Sequence, residues 1–141
     1  FAVSGDTPDA TAAPFPMSGL WSVAFDSSGM GYALHGVIAG APGADRPRIS
    51  AFDPLTLSEK WRIDLPLPEG ALWNYPGGIG LLANGAFCAA YATRLVRIAP
   101  RTGEILALAD VPAPAGQAHT AYNGFIALPD GRLLAKSHHR K

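Results

Sequence analysis

The sequence predicts an all-β fold made of repeated units of four antiparallel strands. Three observations support this prediction: an internal repeat, short apolar segments separated by turn residues, and 16 Gly and 13 Pro among 141 residues. So many Gly and Pro residues favour frequent turns, and no segment shows the sustained 3.6-residue periodicity of an amphipathic helix. Short strands joined by tight turns are therefore expected throughout the chain.

The repeat becomes visible when the chain is shifted against itself by 46 residues, which aligns identical residues without a gap. A period of this length is typical of four-stranded propeller blades and of some helical repeats, and the strand signals favour the blades. The identical pairs include Arg48 and Arg94, Thr56 and Thr102, Asp64 and Asp110, Gly78 and Gly124, and Gly85 and Gly131.

Ten strands follow from the alternation of apolar runs and turn residues. The second unit shows the pattern most clearly, since Asn84-Gly85 is a favoured hairpin turn between two of its strands. In the first unit the loop at 39–47 is about ten residues longer than its counterpart in the second. The predicted strands are 21–25, 32–38, 48–52, 60–64, 78–82, 86–91, 94–98, 104–109, 123–128 and 132–137.

These strands divide the chain into a lead-in segment at 1–20, complete blades at 21–66 and 67–112, and the first hairpin of a third, incomplete blade at 113–141. A propeller closes its ring with about four to eight blades, and closure hides the strand edges. We therefore expect about two and a half blades of a six- to eight-bladed propeller. The remaining blades would come from the same chain or from another one.

Residues 51–61 contain a motif in which Ala51, Asp53, Thr56 and Trp61 match the pattern Ala-x-Asp-x-x-Thr-Gly-x-x-x-Trp, with Leu57 in place of the glycine. This motif resembles the repeated signature of quinoprotein-like propellers, and the resemblance implies that the tryptophan docks onto the next blade. In that superfamily the signature residues hold blades together and do not bind the quinone. The resemblance therefore implies a fold, and a quinone cofactor does not follow from it.

The other two units carry weaker forms of the same resemblance. In the second unit Thr102 and Gly103 match the signature, while Ala107 stands where the tryptophan belongs. The third unit, at 123–133, resembles the opening hairpin of lactonase-like and quinoprotein-like propellers. Together the resemblances cover most of the chain, and they are specific for blade architecture rather than for chemistry.

The repeated polar residues have an architectural interpretation. Trp61 lies on the outermost predicted strand, where a large ring covers the junction with a neighbouring blade. Asp53 and Thr56 flank a tight turn and are expected to hydrogen-bond the local backbone. Because Asp64 and Asp110 recur at the same phase of the repeat, we expect them to cap turns rather than to catalyse a reaction.

Candidate site residues are those that break the repeat near the predicted central channel. His119 and Trp73 occupy equivalent positions with different side chains, and Asn123 opens an innermost strand. His119 with Asn123 offers a base or metal ligand beside an amide, and Trp73 with Tyr75 offers a stacking wall. A structural histidine and packed aromatic rings are the alternative interpretations.

A divalent metal such as calcium is a further hypothesis, because lactonase-like propellers hold such an ion with carboxylate and amide oxygens. Here Asn74, Asn123 and Asp26 are the candidate ligands, which is a weak set, and no other cofactor is evident. His35 is expected to be a half-buried structural residue. Cys88 lies in an apolar run and is expected to be a small buried hydrophobic residue.

Composition excludes several classes of function. The 11 basic and 11 acidic side chains give a net charge of zero, and the cations are dispersed, so no nucleic-acid surface is predicted. No apolar run approaches the length of a transmembrane helix. The sequence predicts a scaffold that binds a small molecule or a protein. The alternative is a lactonase-type hydrolase or a quinoprotein-type dehydrogenase with its site over the central channel.

Overall fold

The computed structural model describes residues 19–36, 46–69, 76–82, 85–111 and 120–139, and this part of the chain contains ten β-strands and no helix. The predicted all-β class and the ten predicted strands are confirmed, with shifts of a few residues at their ends. The strands are β1 (Ser22–Phe25), β2 (Gly31–His35), β3 (Arg48–Phe52), β4 (Glu59–Asp64), β5 (Pro76–Leu81), β6 (Phe87–Tyr91), β7 (Arg94–Ile98), β8 (Ile105–Asp110), β9 (Thr120–Ala127) and β10 (Leu133–His139).

The strands form three antiparallel sheets in which neighbours along the chain are neighbours in space. The first sheet has the order β1-β2-β3-β4, the second sheet β5-β6-β7-β8, and the third sheet consists of β9 and β10. Strand β2 ends earlier than the predicted 38, because the next residue, Gly36, adopts a left-handed φ of 81°.

The hairpin that opens each sheet has the same turn in all three, which is the clearest structural sign of the repeat. Gly29, Gly85 and Gly131 have φ values of 85°, 78° and 84°, a region that favours glycine. Each glycine N–H donates to a carbonyl three residues earlier. The pairs are Gly29 with Asp26, Gly85 with Leu82, and Gly131 with Leu128, at 3.0, 2.9 and 3.0 Å. This correspondence equates β1–β2, β5–β6 and β9–β10 position by position.

The main core lies between the first and second sheets. Tyr32 and Leu34 of the first sheet face Phe87, Ala89 and Tyr91 of the second, and all five side chains are buried. The rings of Tyr32 and Phe87 are 4.7 Å apart. Strand side chains alternate between two faces. The face of the first sheet that packs on the second is called its downstream face, and the face of the second sheet that packs on the first is called its upstream face. Equivalent positions in every sheet carry the same names.

The opening strands of the three sheets lie side by side. Strand β5 contacts β1 on one side and β9 on the other, and β9 also contacts β6. The outer strands β4 and β8 therefore lie farthest from this line of opening strands. Such an arrangement brings successive sheets face to face around their opening strands.

The upstream face of the first sheet has a separate small cluster around Phe52. The Phe52 ring lies over Gly31, its cross-strand neighbour, and meets the Phe25 ring edge to face at 6.2 Å. Leu57 packs on the same cluster, although its φ of 56° lies in the left-handed region. Gly103 has the corresponding position in the second sheet, with a φ of 76°.

Gly31→Ala is expected to lower the free energy of unfolding by about 2–3 kcal/mol, because its methyl group would overlap the Phe52 ring. Urea denaturation followed by circular dichroism measures the change. Gly124→Ala is the matched control. Gly124 also lies in a strand of an opening hairpin, but a Cβ there would only make an ordinary contact of 3.5 Å with Lys136. Equal stabilities of the two variants would contradict the packing of Phe52 on Gly31.

Candidate functional site: the cleft between the first and second sheets

The residues predicted for a central site fall almost entirely outside the described part of the chain. Trp73, Asn74, Tyr75 and His119 are not among the described residues. Asn123 lies in β9, where the register with β10 shifts between Lys136 and Ser137, and only its backbone is described. The binding roles proposed for these five residues therefore stay predictions.

Trp61 joins the first sheet to the second. It lies on β4, its indole Nε1–H donates to the carbonyl of Pro100 at 3.0 Å, and Tyr32 packs beside it with ring centroids 6.1 Å apart. Its ring lies over Gly103, where a Cβ would come within 2.8 Å of the indole. The expectation that Trp61 covers the junction with a neighbouring sheet is confirmed.

A second set of contacts joins the two sheets at the other end of the core. The Tyr91 hydroxyl and Nη1 of Arg94 both donate to the carbonyl of Pro66, at 2.6 and 2.9 Å. Burial raises the pKa of Tyr91 to about 12 despite the nearby Arg94 guanidinium. Both side chains therefore serve as hydrogen-bond donors to the preceding sheet across the neutral pH range.

The two repeated aspartates do not cap turns as predicted. The carboxylate of Asp64 accepts a hydrogen bond from Arg48 at 2.8 Å, and Asp110 accepts one from Arg94 at 2.6 Å. Each pair lies directly opposite on adjacent strands, so the register brings the charges together. The hydrogen bond from Arg94 holds the pKa of Asp110 below its ordinary value. Asp64 and Asp110 thus have an architectural role, as predicted, but they fulfil it through cross-strand ion pairs rather than by capping turns.

The turn of β3–β4 behaves as predicted. The Oδ1 atom of Asp53 accepts hydrogen bonds from the backbone N–H groups of Leu55 and Thr56, at 2.9 and 3.3 Å. The Thr56 hydroxyl in turn accepts one from the N–H of Ser58. These bonds fix the turn immediately before β4, and hence the position of Lys60 and Trp61.

A cleft of about 380 Å³ opens beside Trp61, between the first sheet and the β7–β8 turn of the second. One wall is aromatic, formed by Tyr32 and Trp61, and the floor includes Asp26 from the β1–β2 turn. Lys60 and Arg101 complete the lining with two exposed cations. The volume lies at the lower end of the range found for small-molecule sites.

The carboxylate of Asp26 accepts four hydrogen bonds from donors of its own hairpin. Oδ1 accepts from the backbone N–H and hydroxyl of Ser28 and from the N–H of Met30, at 2.9, 2.6 and 3.0 Å, and Oδ2 accepts from the Tyr32 hydroxyl at 2.8 Å. Burial acts to raise the pKa of Asp26, but these hydrogen bonds outweigh it and lower the pKa. Asp26 is thus held in its ionised form by the turn, and its role as a calcium ligand stays a prediction.

The two cations are less committed. Within the described residues Arg101 makes no hydrogen bond or ion pair, and Lys60 makes only a longer-range attraction to Asp53 that contributes to lowering the pKa of that carboxyl. Among those same residues, no group of three or more His, Cys, Asp or Glu side chains is arranged to hold a metal ion.

The residues that line the cleft are not conserved between the first and second units of the repeat. The positions of Asp26, Tyr32, Lys60 and Trp61 correspond in the second sheet to Leu82, Cys88, Leu106 and Ala107. A cavity with this chemistry therefore cannot recur on the downstream face of the second sheet. Each of these differences is visible in the sequence once the units are aligned, but the predicted site lay at the central channel and did not include Lys60 or Arg101.

A buried polar network occupies the upstream face of the first sheet. Nε2 of His35 is 2.8 Å from the Ser50 hydroxyl, which donates to Glu59 at 3.0 Å, and Glu59 accepts from Arg62 at 2.7 Å. His35 and Ser50 are 2% and 0% exposed, so His35 is more deeply buried than predicted. Since the Ser50 proton goes to Glu59, His35 donates through Nε2–H and is not positioned to deprotonate Ser50.

This network also has no counterpart in the second sheet. The residues equivalent to His35, Ser50, Glu59 and Arg62 are Tyr91, Val96, Ile105 and Leu108. Burial lowers the pKa of His35, and Arg62 and Arg48 add to the effect against the opposing charge of Glu59. Cys88 is buried as expected, which raises the pKa of its thiol.

Comparisons with known proteins add no assignment: no protein-family model matches the chain, and no curated protein matches it. Within the described residues, no helix is long and apolar enough to span a membrane.

Gly103→Ala is expected to destabilise the fold by about 2–4 kcal/mol, from a left-handed φ and the overlap of its methyl group with Trp61. Gly85→Ala is the control, because it has a similar φ but open space around its Cβ, and should cost only about 1–2 kcal/mol. Chemical denaturation of both variants in the wild-type and Trp61→Ala backgrounds separates the two effects. Without the indole only the 3.1 Å contact with Ile63 remains, so the excess cost at Gly103 should fall. An excess cost that is undiminished in the Trp61→Ala background would contradict the docking geometry.

Protonation of His35 is expected to destabilise the fold as the pH falls below about 6.5, the ordinary histidine pKa in an unfolded chain. The lowered pKa keeps His35 neutral in the folded protein, so the unfolded state binds the extra proton and the free energy of unfolding decreases toward acid. Urea titrations between pH 7.5 and pH 5 of the wild type and His35→Gln measure it, with the other histidines common to both. A stability difference between the two proteins that does not change with pH would refute the linkage.

Proposed function

We propose that the chain forms consecutive blades of a β-propeller that serves as a binding scaffold. The docking of Trp61 on the turn of the next sheet carries the proposal, since it is a contact between successive four-stranded sheets. The lateral contacts of β1, β5 and β9 support it, because the opening strands of propeller blades line the central channel. The matching opening turns of the three sheets support it as well, because repeated units are expected to share such a turn.

The third sheet supports a further blade. Its residues Ile126 and Leu134 pair across the hairpin and are 60% and 58% exposed. Tyr32 corresponds to Leu134 in the first sheet and is buried by the second sheet, and Cys88 corresponds to it in the second sheet and is also buried. We therefore propose that another sheet covers the downstream face of the third, either from the same chain or from another one.

The binding role is favoured over the enzymatic alternative by the polar groups that the structure describes. The hydroxyl of Ser50 and the carboxylate of Asp26 are both held by permanent hydrogen-bond partners. The lactonase-type and quinoprotein-type alternative depends on His119 and Asn123, and no described contact favours it. A cleft with an aromatic wall and two uncommitted cations suits binding without chemistry.

The proposal is tested by the mass of the chain in solution, measured by light scattering over a wide concentration range. We expect concentration-dependent association through the open face of the third sheet. Ile126→Lys and Leu134→Lys should shift the protein toward monomer, because each places a charge on that face. Circular dichroism verifies that the variants keep their strands.

Leu55→Lys is the matched control, since Leu55 is 90% exposed but belongs to the β3–β4 turn. If Leu55→Lys leaves association unchanged while Ile126→Lys and Leu134→Lys weaken it, the result supports docking of a further sheet on the open face of the third sheet. A monomer at every concentration, or equal effects of all three substitutions, would overturn the proposal that a further sheet docks there.

A further inference from the structure

The charge of the cleft beside Trp61 selects the sign of a ligand. Two cations, Lys60 and Arg101, line the cleft with one carboxylate, that of Asp26, which already accepts four hydrogen bonds from its own hairpin. The lining therefore carries one net positive charge, and its uncommitted donors are on the cations. A guanidinium and an ammonium group recognise a carboxylate well, since both donate charge-assisted hydrogen bonds.

The wall of the cleft selects the shape of the ligand. Trp61 is held in one orientation, because its Nε1–H is bonded to the Pro100 carbonyl and its ring lies directly over Gly103. Tyr32 is equally fixed by its bond to Asp26. The Tyr32 ring is tilted by 45° to the indole and is almost fully buried, so the half-buried Trp61 ring is the apolar surface that a ligand meets. A fixed aromatic ring favours a planar group by offset or edge-to-face stacking at little entropic cost.

The same surface at the next interface lacks these features. Leu106 replaces Lys60, and Ala107 replaces Trp61, on the equivalent strand β8. Architecture alone does not require the Lys60 or Arg101 side chain, since neither side chain makes a hydrogen bond to another described residue. Side chains that depart from a repeat and have no structural partner are the ones expected to serve a ligand.

We propose that this cleft binds a small planar monoanion, of the class of aromatic carboxylates, with the carboxylate between Arg101 and Lys60 and the ring against Trp61. The proposal rests on the proposed scaffold function and names the class of ligand for it. A volume of about 380 Å³ accommodates a single ring with its substituents. The site lies between two sheets and is separate from the predicted central channel.

Benzoate is the probe, and the signal of the Trp61 indole N–H in ¹H–¹⁵N correlation spectra of the 141-residue chain is the readout. We expect a saturable shift with a dissociation constant of about 1 mM or below, as suits a one-ring ligand in an open site. Benzamide has the same shape without the charge and should bind at least about tenfold more weakly. Added NaCl should weaken benzoate binding as well.

Arg101→Ala and Lys60→Ala should each raise the benzoate dissociation constant about tenfold, the loss expected for one charge-assisted hydrogen bond. Arg132→Ala is the control: it removes the same charge from an exposed arginine paired with Asp130, far along the chain from the cleft. It should leave the dissociation constant unchanged.

No saturable shift at the Trp61 signal, or the same dissociation constant in Arg101→Ala, Lys60→Ala and Arg132→Ala, would overturn the anion site. That failure would leave the scaffold proposal standing, because the light-scattering test with Ile126→Lys does not involve the cleft. A wild-type protein that is monomeric at every concentration but binds benzoate saturably would overturn the docking of a further sheet and leave the anion site standing.

Discussion

The contact between the Trp61 indole and the turn that contains Gly103 is the interaction on which the arrangement of the first two sheets depends. A four-stranded antiparallel sheet is stable when its apolar face is buried against another layer. The indole covers the outer part of this interface and adds a directional bond to Pro100, while Tyr32 and Phe87 fill its centre. Because an indole that donates to a backbone carbonyl has one orientation, the contact fixes how the sheets sit against each other as well as how firmly.

The same contact creates the cleft. The ring is held at the edge of the interface, so it leaves space between β4 and the β7–β8 turn instead of filling it. The turn that supplies the Pro100 carbonyl also supplies Arg101, the next residue, and the strand that supplies Trp61 supplies Lys60, the residue before it. Packing and ligand chemistry are thus carried by adjacent residues on both sides of one junction, and a change to the packing would displace the cations.

Much of the fold was predictable from sequence, and for identifiable reasons. Strands are bounded by Gly, Pro, Asn and Asp, and a fixed period shows how they group, so the two four-stranded sheets and the final hairpin follow from local signals. The role of Trp61 came from the signature it resembles. The ion pairs of Asp64 and Asp110 did not follow, because they depend on strand register, which places Arg48 and Arg94 directly opposite. The cleft was also missed, since Asp26, Lys60 and Arg101 meet only when two sheets dock.

Leu57 makes the first and second units different at the position where a neighbouring tryptophan packs. It stands in the first sheet where Gly103 stands in the second, with a left-handed φ that costs about 1–2 kcal/mol for a residue with a Cβ. Its side chain fills the position that Gly103 leaves open for an indole, packing on Phe52 instead. The first unit therefore supplies a tryptophan to the next sheet, but its Leu57 leaves no room for a tryptophan from a preceding sheet. The second unit accommodates a tryptophan over Gly103 but has Ala107 where it would need to supply one. Two tandem copies of either unit would lack the contact between a tryptophan and a glycine, so the side chains at these positions determine the order of the two units along the chain.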